Sequence, residues 1–286
     1  MRSPSLAFVV PMVLVALAGC EDKGKISEQQ AAASVAKLVP VVKEAAEQVR
    51  RGLPLGAKKL GTLVDADPGA NLVGLQKNIQ IARSSTPDLD RAKSTFFSFA
   101  DPSGVVLRSE VDPDVLAGKS VFATFPSLKK AVEPASGTLE AFGEMPEMRG
   151  VKNGPDLQWV LAHPVATPDG TVKGVFVTGW SFRVFANYLE GTANRDLFEA
   201  SQEEGKKKKT VPLIYVFVVK GAKAYGGPVT PDVNAEAVQK LDLISKTASG
   251  PYQGTVDVTG RVFGVAAQRT PELGDDAAVA VLLSVI

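Results

Sequence analysis

The sequence contains very little of the chemistry on which most enzymes and metal proteins depend. Among 286 residues there is one cysteine, Cys20, and one histidine, His163. Zinc clusters and disulfide frameworks need several such residues, so both are excluded. The formal net charge is only +1, which leaves no basic excess for binding nucleic acid. We therefore expect no metal site, no cofactor and no nucleic-acid partner.

Motifs for catalysis are also scarce. Ser-x-x-Lys occurs twice, at 34–37 and 127–130, a recurrence that shows how readily this spacing arises. A Ser-His-Asp site would have to use His163, which precedes Pro164 at the end of a predicted strand and is better explained as a structural histidine. The sequence also has no glycine-rich phosphate loop and no complete calcium loop. We expect a protein without enzymatic activity, and a hydrolase is the third of three functions considered.

The N-terminus has the pattern of an export signal. Arg2 precedes an apolar run at 6–17, which is shorter than the roughly 20 residues that span a bilayer. The run leads to Leu17-Ala18-Gly19-Cys20, which resembles the lipobox of bacterial lipoproteins. We expect residues 1–19 to be removed and Cys20 to carry acyl chains such as palmitate, anchoring the protein in a membrane of the cell envelope. An ordinary secretory peptide and an uncleaved anchor are the alternatives.

Helices are predicted for the segment 20–94, after a polar tether at 21–25. Apolar residues with the three-and-four spacing of one buried helix face follow the tether: Val35, Leu38, Val42, Ala45 and Val49. Pro40 predicts a kink or a restart, and Gly52 and Pro54 predict the end of this helix. Further helices are predicted around 72–79 and from Pro87 to Lys93.

From Thr95 the hydrophobic period changes to two, which indicates strands. The segment Asp101-Pro102-Ser103-Gly104 has the residues of a type I turn and predicts a hairpin. The predicted elements of this half are strands at 96–100, 105–109, 138–142, 158–165 and 172–180, a short helix at 127–132, and a helix at 182–204.

The last part of the chain repeats this order of elements. Predicted strands lie at 213–219, near Tyr225, and at 252–258, 261–268 and 277–285, with a helix at 234–244. A small motif also recurs, as Asp112-Pro113-Asp114-Val115 and as Thr230-Pro231-Asp232-Val233. The sequence therefore predicts an α+β protein with a long N-terminal helix and two antiparallel sheet modules, 95–205 and 206–286. Gly205–Lys209 would be a solvated linker or, alternatively, a basic docking patch.

Several stretches of the first half resemble a known domain family. They are Phe97–Leu107, Gly118–Ser120, Trp159–Val165 and Asp169–Val175. They are similar to the Cache domain, the extracytoplasmic relative of PAS folds that senses small molecules for bacterial chemoreceptors and sensor kinases. The long helix and the second sheet resemble the two-module form, which implies that 95–205 is the membrane-distal module.

Two departures from that family affect the expected function. Sensors of this kind usually continue into a transmembrane helix, whereas the final stretch 279–286 has only the length of a strand. We therefore expect a separate transmembrane partner. The ligand-gripping pattern of the amino-acid-binding members is also absent, so the resemblance implies no ligand class.

The residues themselves suggest a binding face. Alternation along the predicted strand 158–165 places Trp159 and His163 on one face. Trp180, Arg183 and Arg108 lie on neighbouring elements, and arginine beside aromatic walls suits a carboxylate or amino-acid ligand. The alternative is that the tryptophans are core and the arginines surface.

Two broad functions follow from these observations. The first is a small-molecule-binding lipoprotein that faces the periplasm or the exterior and works with a transmembrane sensor. The second is an envelope scaffold lipoprotein without a ligand.

Overall fold

The computed structural model describes residues 23–133, 136–145, 156–203 and 212–285. The leader, Cys20, the Gly205–Lys209 stretch and the predicted module boundary at 205–206 lie outside these ranges. The helices before the first sheet are α1 (Lys23–Gly61), α2 (Leu72–Ser84) and α3 (Pro87–Arg91). No helix in these four ranges is long and apolar enough to cross a membrane.

The first helix is longer than the sequence predicts. It does not restart at Pro40, and it continues past Gly52 and Pro54 to Gly61, so the predicted end was wrong. The last turns bury Leu53, Ala57 and Leu60, and this packing outweighs the unfavourable proline. Gly52 does not end the helix but allows Leu89 to pack closely against it, because a Cβ at Gly52 would lie 2.8 Å from Leu89 Cδ2.

The first module is an antiparallel sheet of five strands. Its elements are β1 (Phe96–Ala100), β2 (Val106–Ser109), α4 (Val121–Thr124), a 3-10 helix (Pro126–Val132), β3 (Leu139–Met145), β4 (Asp156–Ala166), β5 (Val172–Ser181) and α5 (Phe182–Glu203). The strand order is β2-β1-β5-β4-β3. In the predicted hairpin turn, Asp101 Oδ1 accepts hydrogen bonds from the backbone N–H groups of Ser103 and Val105 at 2.9 and 3.0 Å.

The second module repeats this topology. Its elements are β6 (Leu213–Lys220), β7 (Lys223–Gly226), α6 (Asp232–Gln239), α7 (Leu243–Lys246), β8 (Tyr252–Val258), β9 (Arg261–Arg269), a 3-10 helix (Pro271–Leu273) and β10 (Ala277–Ser284). The strand order β7-β6-β10-β9-β8 matches that of the first sheet. The single helix predicted at 234–244 is two short helices, because Asp242 takes a left-handed conformation with φ of 47°.

One face of each sheet packs against α1. Near its start, Gly264 of β9 lies so close to Ser27 and Glu28 that a Cβ would overlap the helix backbone. Near its end, Gly61 lies equally close to the carbonyl oxygen of Ala166 in β4. The opposite face of each sheet has its own apolar cluster. The predicted α+β fold, with a long helix and two sheet modules, is thereby confirmed.

Candidate functional site

The two tryptophans lie on the α1 side of the first sheet. Trp159 and Trp180 are fully buried, with ring centroids 4.5 Å apart. Trp180 stacks on Phe185 at 4.3 Å, and Trp159 Nε1 donates to Glu140 Oε2 at 3.0 Å. Both rings are thus surrounded by other side chains of the same core.

Arg108 is already bound to its own neighbours. Its guanidinium donates to Gln76 Oε1 at 2.8 Å and to Asp112 Oδ1 at 2.5 Å. A further contact joins its Nη1 to Asp114 Oδ2 at 3.5 Å. A ligand carboxylate would have to displace two carboxylates of the protein from this guanidinium.

His163 and Arg183 lie in different surroundings. The Nδ1 atom of His163 is 2.9 Å from Thr138 Oγ1, and burial lowers the pKa of the imidazole. Arg183 lies in the first turn of α5 and is partly buried. Its charge and its backbone N–H both act on the carboxylate of Asp156. The structure therefore links one of the predicted residues, Arg183, to a carboxylate that the sequence did not single out.

That carboxylate belongs to the opposite face of the sheet. Gln158 pairs with Gly143 of β3 and with Ser181 of β5, and Asp156 pairs with Met145. A Cβ on Gly143 would lie 2.7 Å from the ring of Phe125, which belongs to the apolar cluster on the face away from α1. Since paired residues point to the same side, Asp156, Gln158 and Ser181 share this face.

These three side chains, the polar cluster, are fully buried, with 0% exposure each. The hydroxyl of Ser181 donates a hydrogen bond to Asp156 Oδ2, and its oxygen accepts from the backbone N–H of Val184 at 3.1 Å. Ser181 therefore caps α5, and Asp156 supports the cap where the helix dipole favours negative charge.

Three atoms of the polar cluster have no hydrogen-bond partner among the described residues: Asp156 Oδ1, Gln158 Oε1 and Gln158 Nε2. Buried polar groups are almost always paired, and an unpaired one costs about 1–3 kcal/mol. Burial also raises the pKa of Asp156, although the Ser181 hydroxyl and the Arg183 charge oppose this shift. The arrangement offers one acceptor from a carboxylate and both a donor and an acceptor from an amide.

The polar cluster shares its face of the sheet with an apolar cluster. Phe96, Phe125 and Met145 all belong to the buried apolar cluster of this face. Apolar walls with a few convergent polar groups are typical of small-molecule sites. In the described ranges no three histidine, cysteine or acidic residues lie close enough to bind a metal ion.

The sequence contained a signal for this site. Alternation along β4 places Trp159 on one face of the sheet and places Asp156 and Gln158 together on the other. Two polar residues with period two at the start of an apolar strand are the unusual feature.

Comparisons with known proteins show which solved structures share the fold of this chain. No family model and no curated protein matches the chain. Solved structures do match. A domain of a sensory box/GGDEF family protein from Vibrio parahaemolyticus is 10% identical, with 92% of this chain and 98% of that chain covered and a TM-score of 0.54. The extracellular domain of a histidine kinase is 11% identical, with 92% of each chain covered and a TM-score of 0.55.

The ligand-binding domain of a Campylobacter jejuni chemoreceptor, solved with 4-methylisoleucine, is also similar. It is 9% identical, with 92% of each chain covered and a TM-score of 0.50. At these identities the likeness concerns the fold and not the ligand. The chain has the double-module Cache/PAS-like fold of extracellular sensory domains.

Proposed function

We propose that this chain is a lipid-anchored extracytoplasmic sensor that binds a small molecule at the polar cluster and reports it to a separate membrane-spanning partner. The observation that carries the proposal is the set of three unpaired polar atoms on Asp156 and Gln158, enclosed at 0% exposure. A ligand that pairs with them would remove a cost that the free protein bears. The shared fold with sensory domains supports the same function.

The lipid anchor would set the orientation of the two modules. Cys20 precedes α1 by only three residues, and the start of α1 packs on the second module. A helix of 39 residues rises about 58 Å. The second module would lie next to the membrane, and the first module with its polar cluster would be held far from it. Cleavage at 1–19 and lipidation of Cys20 are parts of this proposal.

The groups of the polar cluster favour a ligand that carries an amine. Asp156 Oδ1 can accept from an ammonium group, and the Gln158 amide can both donate and accept. An amino acid would also place a carboxylate, for which Arg183 is the available charge, since Arg108 is held by Asp112 and Asp114. Amino acids and small amines are therefore the first compounds to test.

A thermal-shift screen tests this function. The full protein in detergent is screened against amino acids, polyamines and organic acids, because a ligand that binds only the folded state raises Tm. We expect an amine-bearing compound to raise Tm, and expect Gln158→Met and Asp156→Asn to abolish the shift. The matched controls are Gln253→Met and Asp257→Asn, which change exposed residues of β8 in the second module.

A scaffold lipoprotein without a ligand is the second candidate. The observation in its favour is the apolar filling of the face away from α1, where Phe122, Phe125 and Leu128 are all buried. Under this function no compound of the screen raises Tm, and the protein instead co-purifies with an envelope complex from membranes. That pair of results would replace the sensor proposal.

A further inference from the structure

The edge strand β3 contacts the second module and α1 through three alternate side chains. Glu140, Phe142 and Glu144 point to the α1 side of the sheet, since they pair with Leu161, Trp159 and Leu157. Each has a basic partner on another element. The three partners are Arg50 of α1, Lys220 of β6 and Lys223 of β7.

The contact at Glu140 is the most elaborate of the three. Arg50 binds both oxygens of Glu140, at 2.7 and 2.9 Å. The same guanidinium donates to the carbonyl oxygen of Glu272 in the second module at 2.7 Å, and it lies 5.2 Å from the centroid of the Trp159 ring. Bidentate arginine–carboxylate pairs hold a fixed geometry. Through Arg50, this end of β3 is therefore joined to α1 and to the second module.

The other two contacts lie progressively closer to the polar cluster. Lys220 Nζ lies 4.1 Å from the ring centroid of Phe142, and Lys223 Nζ donates to Glu144 Oε1 at 2.7 Å. The Lys223 and Glu144 side chains are 64% and 46% exposed. An exposed pair of this kind contributes little to stability, so this end of β3 is the more easily released.

The same strand supports the polar cluster. Gly143 and Met145, which flank Glu144, pair with Gln158 and Asp156 of β4. A shift of β3 at Glu144 must therefore move the main chain that is hydrogen-bonded beside the polar cluster. A second connection is aromatic, because Phe182, which follows Ser181, packs edge-on against Tyr225 of β7 at 5.7 Å.

We propose that Glu140, Phe142 and Glu144 form a latch between the modules, tight at Arg50 and releasable at Lys223, which couples the position of the polar cluster to the second module. The apolar cores of the two sheets are continuous and resist deformation. The latch contacts are polar and partly exposed, so β3 can open locally while this shared core stays packed. Occupancy of the polar cluster would favour one of two positions of β3.

Hydrogen exchange of the full protein, without any ligand, tests the latch. Lys223→Glu places a like charge against Glu144. We expect the amides of β3 and of the first half of β4 to exchange about fivefold faster, because local opening becomes easier. The β1–β2 and β8–β9 hairpins should be unaffected. The double variant Glu144→Lys/Lys223→Glu restores an ion pair and should restore slow exchange. Lys223→Met is a milder variant to use if the charge reversal prevents folding.

Lys246→Glu is the matched control. Lys246 lies 4.7 Å from the Tyr252 ring inside the second module, and it carries none of the latch contacts. Unchanged exchange of β3 and β4 in the single variant Lys223→Glu, or an equal change with Lys246→Glu, would overturn the latch. As a signalling route the latch rests on the proposed function, but the measurement needs no ligand. If no compound raises Tm but Lys223→Glu speeds the exchange of β3 and β4, the sensor proposal is rejected and the latch is retained.

Discussion

Asp156 and Ser181 lie on neighbouring strands of the first sheet and are joined by a hydrogen bond in which the serine hydroxyl donates to the carboxylate. The same hydroxyl oxygen caps the first turn of α5 by accepting from Val184 N. The start of α5 is thus tied to the strand that carries Gln158. Ligand contacts at Asp156 would act directly on this helix.

The raised pKa of Asp156 predicts a pH-dependent difference between the protein and its Asp156→Asn variant. Burial penalises the ionised carboxylate in the folded state. The contribution of Asp156 is therefore fully present below the ordinary value of 3.8 and is lost as pH rises through the folded-state pKa. We expect Asp156→Asn to become more favourable relative to the parent protein as pH rises. Urea unfolding from pH 3 to pH 7 measures this, and a difference that is constant with pH contradicts it.

Gln158→Met should make the protein more stable while it removes ligand binding. The substitution keeps the approximate shape and eliminates two unpaired buried polar atoms, a gain of about 1 kcal/mol or more. Guanidinium unfolding monitored by tryptophan fluorescence gives the free energy of unfolding. The control Gln253→Met on an exposed strand position should change it by less than about 0.5 kcal/mol. A clear loss of stability would mean that Gln158 is paired in solution.

His163 provides a second pH dependence. Burial lowers the pKa of this imidazole, so the neutral form is favoured in the folded state. The stabilisation is present above the ordinary value of 6.5 and is lost as pH falls below it toward the folded-state pKa. His163→Gln should reduce the loss of stability between pH 8 and pH 5. Because there is one histidine, its NMR titration measures the folded-state pKa directly, and a value above 6.5 would refute this prediction.

Two glycines in helices should respond to alanine in opposite directions. Helix propensity favours alanine over glycine by about 1 kcal/mol. At Gly191 of α5 nothing lies within 4 Å of an added Cβ, so Gly191→Ala should raise Tm. At Gly61, the last residue of α1, the Cβ would overlap the carbonyl oxygen of Ala166, and Gly61→Ala should lower Tm. Thermal unfolding of both variants in parallel provides the comparison, and a rise for Gly61→Ala would show that α1 is not seated closely on β4.

The proposed lipid anchor predicts the behaviour of a Cys20→Ser variant. Without the thiol no acyl chain can be attached, and the protein should leave the membrane fraction or remain as the unprocessed precursor. Membrane fractionation and intact-mass spectrometry distinguish these products from an acylated chain that begins at residue 20. Equal membrane retention of the variant would favour the uncleaved anchor.

Much of the fold could be predicted because its signals are local. The turn at Asp101–Gly104 and the change of period at Thr95 depend on neighbouring residues, and both agree with the observed strands β1 and β2. The end of α1 could not be predicted in this way. Gly52 has the usual chemistry of a helix stop, but its lack of a side chain instead admits Leu89 from a distant helix.

The candidate binding face shows the same limit. Alternation along β4 separates Gln158 from Trp159, but it does not say which set faces α1. The structure answers this because α1 covers the tryptophan side, which leaves Asp156, Gln158 and Ser181 enclosed on the other.

By itself the sequence determined the export pattern, the repeated order of strands and helices, and the scarcity of catalytic motifs. Each of these depends on residue type and short-range spacing. Only the tertiary structure decided how far α1 extends, which face of the first sheet holds Asp156 and Gln158, and how β3 joins the two modules. These features arise from contacts between residues far apart in the chain, and no local pattern encodes such contacts.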